Sequence, residues 1–186
     1  MAACKITSGI DAPACGDRFT AAGVSRLDVY FFNREDITTF TAGALDKEIS
    51  ALVLASTTQG FKVTFNKETA MGAHEGTFDE NGNYYTETFE GKILDESSGV
   101  NKSIEDFVDI DLVIIFRSKS GKYYVYGQNS GVKLIGDTFS TGATTGDERG
   151  ATLSFEGIEN QRPNQFFDTD DATTKATLDS YLVPAP

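Results

Sequence analysis

Apolar and polar positions alternate along much of this chain with a period of two, the pattern of strands that bury one face. One stretch breaks the alternation. Residues 112–116 (LVIIF) run as five apolar side chains without a polar partner. Arg117, Ser118, Lys119, Ser120 and Gly121 follow as a polar turn, with Gly121 free to take φ > 0. Tyr123, Tyr124, Val125 and Tyr126 then lead back out. The spacing predicts a β-hairpin whose first strand is covered on both sides. Such a strand is either central in a sandwich or has its outer face against another subunit.

The other segments are read around that hairpin. Residues 27–32 (LDVYFF) predict a strand with Leu27, Val29 and Phe31 on one face and Tyr30 and Phe32 on the other, broken at residues 33–36. Residues 48–55 (EISALVLA) predict a second strand. Residues 61–65 give the cleanest alternation, with Phe61, Val63 and Phe65 against Lys62 and Thr64. From 67 to 83 no period is visible, the mark of a functional excursion or a mobile stretch. Residues 84–94 (YYTETFEGKIL) predict a long strand with Glu87 intruding on its apolar face and a bulge at Gly91. Ser103 reads as a helix start, with Ile104, Phe107 and Val108 as the apolar stripe. After the hairpin come a strand at 132–135, a polar Gly/Thr segment at 136–150, and an alternating strand at 151–157 with Leu153 and Phe155 inward. Phe166 and Phe167 are expected to plug the core. A terminal helix near 173–182 carries Thr174, Leu178, Tyr181 and Leu182 on one face. The sum is a mainly β chain: an antiparallel β-sandwich or barrel of about eight strands, with one short flanking helix and a C-terminal helix. Residues 1–186 form a single domain with an irregular N-terminal arm over about 1–25.

Composition narrows what such a fold is for. The formal charge is −12 over 186 residues, which repels nucleic-acid phosphates and disfavours sequence-specific DNA or RNA binding. The same field suits a wall that DNA passes without sticking, and also plain solubility. The N-terminus has no secretory pattern and no apolar run reaches membrane-spanning length, so synthesis in the cytoplasm and no membrane partner are expected. Cys4 and Cys15 match no zinc spacing and are expected as free thiols.

Candidate chemistry is sparse. Asp79, Asn81 and Asn83 take the odd positions of a calcium-type loop, with Glu90 where a closing carboxylate would fall. However, Gly82 comes too early and no helices flank the segment, so a polar turn is the simpler reading. Asp168, Asp170 and Asp171 read as charges at a helix start. Residues 142–147 (GATTGD) lack the Lys-Ser/Thr ending of a phosphate loop. Glu87 invites a raised pKa, with a paired or intersubunit carboxylate as the expected explanation. Cys15 has only His74 as a possible base. Tyr84, Tyr85, Tyr123, Tyr124 and Tyr126 could line a sugar- or peptide-binding face, but core and interface packing is the favoured reading. No catalytic, cofactor or metal residues are assigned, and the chain is expected not to be an enzyme.

The order of pieces resembles the tail tube (major tail) proteins of tailed bacteriophages, particularly Bacteroides-type phages. The pieces are CKITSGI, LDVYFFNREDI, LVIIFRSKSGKYYVYGQNSGVKL, ATLSFEG and FFDTDDATTKATLDSYL, together most of the chain. The likeness is one of order, length and texture. It implies a β-sandwich or barrel beside a short helix, in subunits that join their sheets into a ring, commonly sixfold. Rings then stack into a virion tail conduit that DNA transits without specific binding, in contact with other tail or neck proteins. Related folds form tail-ring or adaptor proteins, where symmetry can be twelvefold. The readings held beside it are a capsid decoration or head–tail joining protein and a carbohydrate-binding β-sandwich.

Overall fold

A computed structural model describes residues 22–55, 58–80, 82–95, 97–142 and 149–182, with only the backbone of Arg26 and Asp79. The predicted 1–21 part of the arm, both cysteines and most of the 142–147 segment lie outside these residues.

The fold is a two-layered β-sandwich and not a closed barrel. Its centre is the predicted hairpin, β7 (Leu112–Ser118) and β8 (Tyr123–Tyr126), turned with Gly121 at φ 90°. Beside β7 lies β1 (Val24–Asn33), and beyond β1 the two-residue β4 (Phe61–Lys62). On the other flank follow β11 (Asn164–Phe166), β3 (Glu48–Leu54) and β2 (Ile37–Ala42). Only β11 and β3 pair parallel in this seven-stranded sheet. The second sheet has four antiparallel strands: β5 (Met71–Asp79), β6 (Gly82–Ile93), β10 (Gly150–Glu159) and β9 (Lys133–Ser140), in that order. Eleven strands therefore stand among the described residues.

The period-two alternation of β1 and β7 sorts their side chains into two cores. Val29, Phe31, Ile114 and Phe116 face the four-stranded sheet, where Phe89, Leu153 and Phe155 meet them. Phe31 stands edge-on to Phe155 at 5.2 Å, and Phe116 edge-on to Tyr126 at 4.8 Å, geometries that aromatic quadrupoles favour. Tyr30, Phe32, Val113, Ile115 and Val125 point the other way, onto Ile49, Phe166 and Leu178. Leu178 belongs to helix α2 (Asp171–Ser180), which roofs this face. Asp170 caps α2 by accepting from the Thr173 amide at 2.7 Å. That bond also holds the Asp170 carboxyl below its usual range. Thr174, Leu178, Tyr181 and Leu182 do share the buried face, as their spacing predicted. The helix is latched by charge as well: the Tyr30 hydroxyl donates to Asp179 at 3.0 Å, and Lys175 pairs with Asp28 and Asp179, both at 3.1 Å.

Residues 112–116 are thus at most 3% exposed within one chain. The apolar run is a central strand with a sheet on one side and a helix on the other. The alternative, an outer face left for another subunit, does not apply to it.

Several local expectations are corrected. Val24 is buried at the start of β1 and pairs with Ser118, so the irregular arm stops short of it. The period at 61–65 yields only two residues of strand, and Phe61 is exposed. The stretch 67–83 is no excursion, because β5 fills most of it. Its register hid from pattern reading because the inward positions Gly72 and Gly76 have no side chain. A Cβ at Gly72 would fall on the Phe116 ring, and one at Gly76 on Phe78. Gly91 is not a bulge, since β6 and β10 pair without interruption through it; it leaves room for the Phe65 ring. Helix α1 (Ser98–Glu105) starts earlier than read: Ser97 is its cap, accepting from the Val100 amide, and Ser103 sits in its last turns. Ile104 is buried and Phe107 packs on the core, but Val108 is exposed. Phe166 is buried while Phe167 is 39% exposed. Strand β2 was not anticipated, and β9 extends the expected 132–135 strand into the polar segment.

Candidate functional site

The two sheets are finished to different degrees. The four-stranded sheet buries one face. Its other face carries Thr86, Thr88, Glu90 and Lys92 from β6 beside Thr152, Ser154, Glu156 and Ile158 from β10. On β5 the same face holds Met71, Ala73, Glu75 and Thr77. It is a Thr-rich, largely polar surface with both signs of charge.

Its two edges are open among the described residues. Strand β5 pairs only with β6, through nine consecutive residues without a register shift. Strand β9 pairs only with β10, with one register shift that skips Ile135, and is exposed along most of its length. These edges show large apolar side chains: Met71 is 55% exposed, Ile135 61% and Phe139 52%. A long exposed edge with apolar groups is a template for another strand. The rims of the seven-stranded sheet are less suitable. Strand β4 has two residues, and the β2–β3 pairing shifts register twice.

Between the layers, Glu87 is 1% exposed. Its carboxyl accepts from the Gly127 amide at 2.7 Å. Burial pushes it up to about 8, against the pull of that bond and with help from nearby Glu159. Glu159, equally buried, accepts from the amides of Asn129 at 2.7 Å and Ser130 at 2.8 Å, and from the Asn129 side chain at 2.8 Å. The two acids therefore clamp the β8–β9 turn. Gly127 must be glycine there: its φ is 72°, and a Cβ would meet the Leu112 carbonyl at 2.5 Å. Glu87 does have the raised pKa that its place on an apolar face suggested, but its partner is a backbone amide of the same chain.

The remaining candidates separate. The five tyrosines do not form one face. Tyr123 lies in the helix-side core, where burial pushes its hydroxyl up to about 12, and Tyr126 lies in the inter-sheet core. Tyr84 is half-exposed on the outer face of β6. Tyr85 and Tyr124, however, converge on a cavity of about 630 Å³ at one end of the sandwich. His74, expected at most as a base for Cys15, also lines it, and its imidazole meets the Arg162 guanidinium at 3.2 Å. Burial, aided by Arg162, holds His74 below its usual range. This cavity escaped sequence reading because its walls come from segments far apart in the chain.

Asp79 pairs with Gly82 across the β5–β6 tip, as a turn should, while Glu90 pairs with Met71 at the far end of the hairpin. Asp168, Asp170 and Asp171 are spent on the α2 start: Asp171 pairs with Arg117 at 2.7 Å, and Asp168 accepts from Thr177 at 2.9 Å. Among the described residues no group of His, Cys, Asp and Glu is placed to hold a metal ion, and no helix is long and apolar enough to cross a membrane. No family model, curated protein or solved structure matches the chain.

Proposed function

We propose that this chain is a structural subunit that closes into a ring through the edges of its four-stranded sheet, as a tail tube or tail ring of a tailed phage would. The observation that carries the reading is the pair of open edges, β5 and β9, on a sheet whose neighbour covers its central strands on both faces and ends in short or irregular rims. Pairing β5 of one copy with β9 of the next gives a heterologous contact, which closes into a ring when the rotation allows. At roughly 4.8 Å per strand, six copies of four strands make a wall roughly 115 Å around and on the order of 35–40 Å across its backbone. That bore passes a DNA duplex. The net charge of −12 keeps phosphates from adhering along the way. The Thr-rich outer face of the sheet would line the bore, and neighbouring tail or neck proteins would meet the ring's rims. Sixfold closure fits a duplex-sized bore better than twelvefold, which roughly doubles the perimeter.

Negative-stain microscopy of the purified chain is the test. Rings or tubes support the reading. A chain that stays monomeric at high concentration across several salt conditions removes it. Finding the protein on the capsid surface of intact particles instead would favour a decoration role.

A further inference from the structure

The cavity at the end of the sandwich has a chemistry of its own. At about 630 Å³ it is within the range of small-molecule sites. Part of the lining is aromatic: Phe78 stands edge-on to Tyr85 at 5.7 Å and 81°, and Tyr124 is there with them. Phe78 is 65% exposed although it sits on the inward-facing side of β5, so its ring is presented and not packed away. The lining also carries two cations, Lys47 and Arg162. In a chain of net charge −12, no described side chain in the lining is a carboxylate.

Both cations are held by neutral groups. Lys47 donates to Gln161 at 2.8 Å, and Arg162 donates to His74 at 3.2 Å, with the imidazole kept neutral as acceptor. The acids behind Arg162 are engaged elsewhere: Glu159 takes three donors from Asn129 and Ser130, and Glu87 takes the Gly127 amide. The amides of Asn83, Asn160 and Gln165 also line the cavity, each able to donate and accept. Rings for the C–H face of a sugar, amides for its hydroxyls and a guanidinium that makes no ion pair among the described residues, for one carboxylate, make a single recognition set.

The geometry points to a binding site for an acidic sugar, a uronic or sialic acid residue at the end of a glycan, with its carboxylate on Arg162 and Lys47 and its ring against Tyr85 and Phe78. A single negative charge suits two cations, whereas a polyanion would meet the field of the whole chain. The inference does not rest on the ring reading, because the cavity is complete within one copy.

The test is titration of the full chain, by calorimetry and saturation-transfer NMR, with methyl β-glucuronide and with 3′-sialyllactose, each carrying one carboxylate. Maltotriose and lactose serve as neutral controls and hexaglutamate as an acidic peptide. One of the acidic sugars is expected to saturate one site per chain, with each neutral control at least about tenfold weaker. R162Q is expected to weaken that binding about tenfold or more without moving the melting midpoint. F78A, at an exposed ring, should weaken acidic and neutral sugars alike. Should R162Q fail to fold, K47Q reads the same contact. Absence of saturable sugar binding, hexaglutamate binding as tightly as the sugars, or undiminished binding by the charge variants would each overturn the assignment.

Discussion

The two sheets of this sandwich solve the same problem differently. The seven-stranded sheet is covered on both faces of its central strands, by the other sheet and by α2, and its rims are short or irregular. Among the described residues the four-stranded sheet covers one face and leaves a polar face and two edges open, β5 in unbroken register and β9 with one shift at Ile135. The region whose sequence most suggested a missing partner has found that partner inside its own chain. The region whose sequence looked featureless is the one left unfinished. Apolar content thus reports what must be buried, whereas unpaired backbone, invisible to hydropathy, reports what can still be joined.

Substitutions can break or sharpen that contrast. F31A removes a ring that touches Phe65, Phe89, Phe107 and Phe155, and should cost about 3–5 kcal/mol in urea unfolding. L178A, on the helix-side core, should cost about 2–5 kcal/mol, showing that α2 is part of the fold and not an appendage. If L178A is neutral, the roof is dispensable and the seven-stranded sheet is as open as its neighbour.

Glu87 gives a pH-dependent test. Its folded pKa is raised, so between about 4.5 and about 8 the folded chain keeps a proton that the unfolded chain releases. Stability is therefore full at the acid end of that window and falls as pH rises through it, by an amount on the order of a few kcal/mol. E87Q keeps an oxygen for the Gly127 amide and cannot ionise, so its denaturation midpoint should lose this slope and exceed wild type at pH 9. Parallel profiles for the two proteins would contradict the assigned role.

At the open sheet the effects invert. I135K on β9 should change monomer stability by no more than about 0.5 kcal/mol yet abolish higher-order species in sedimentation velocity, because a charge on an edge opposes strand addition. The smallest effect belongs to D171N, which breaks a half-exposed pair with Arg117 and should cost under about 1 kcal/mol in thermal unfolding.

What was legible in the sequence follows the same division. The hairpin and β3 were readable as short apolar runs bounded by polar turns, and β1, β10 and the buried stripe of α2 from their own apolar period. Strand β5 was not, because two of its inward positions are glycines whose side-chain space is filled by rings from other residues. The start of α1 was misplaced because Ser103 mimics a cap, while the residue that caps, Ser97, precedes a segment with no apolar stripe of its own. The Glu87 environment was half legible: a carboxylate on an apolar face announces itself, but the Gly127 amide that receives it lies forty residues away. The cavity was not legible, since Lys47, Tyr85, Tyr124 and Arg162 meet only after both sheets have formed.

The edge-pairing claim is tested most directly by amide hydrogen exchange across a concentration series. Assembly through the four-stranded sheet predicts that Met71–Asp79 and Lys133–Ser140 gain protection together as concentration rises, while Ile37–Ala42 stays unchanged. Particles that form while both strands go on exchanging as they do in the monomer would contradict it.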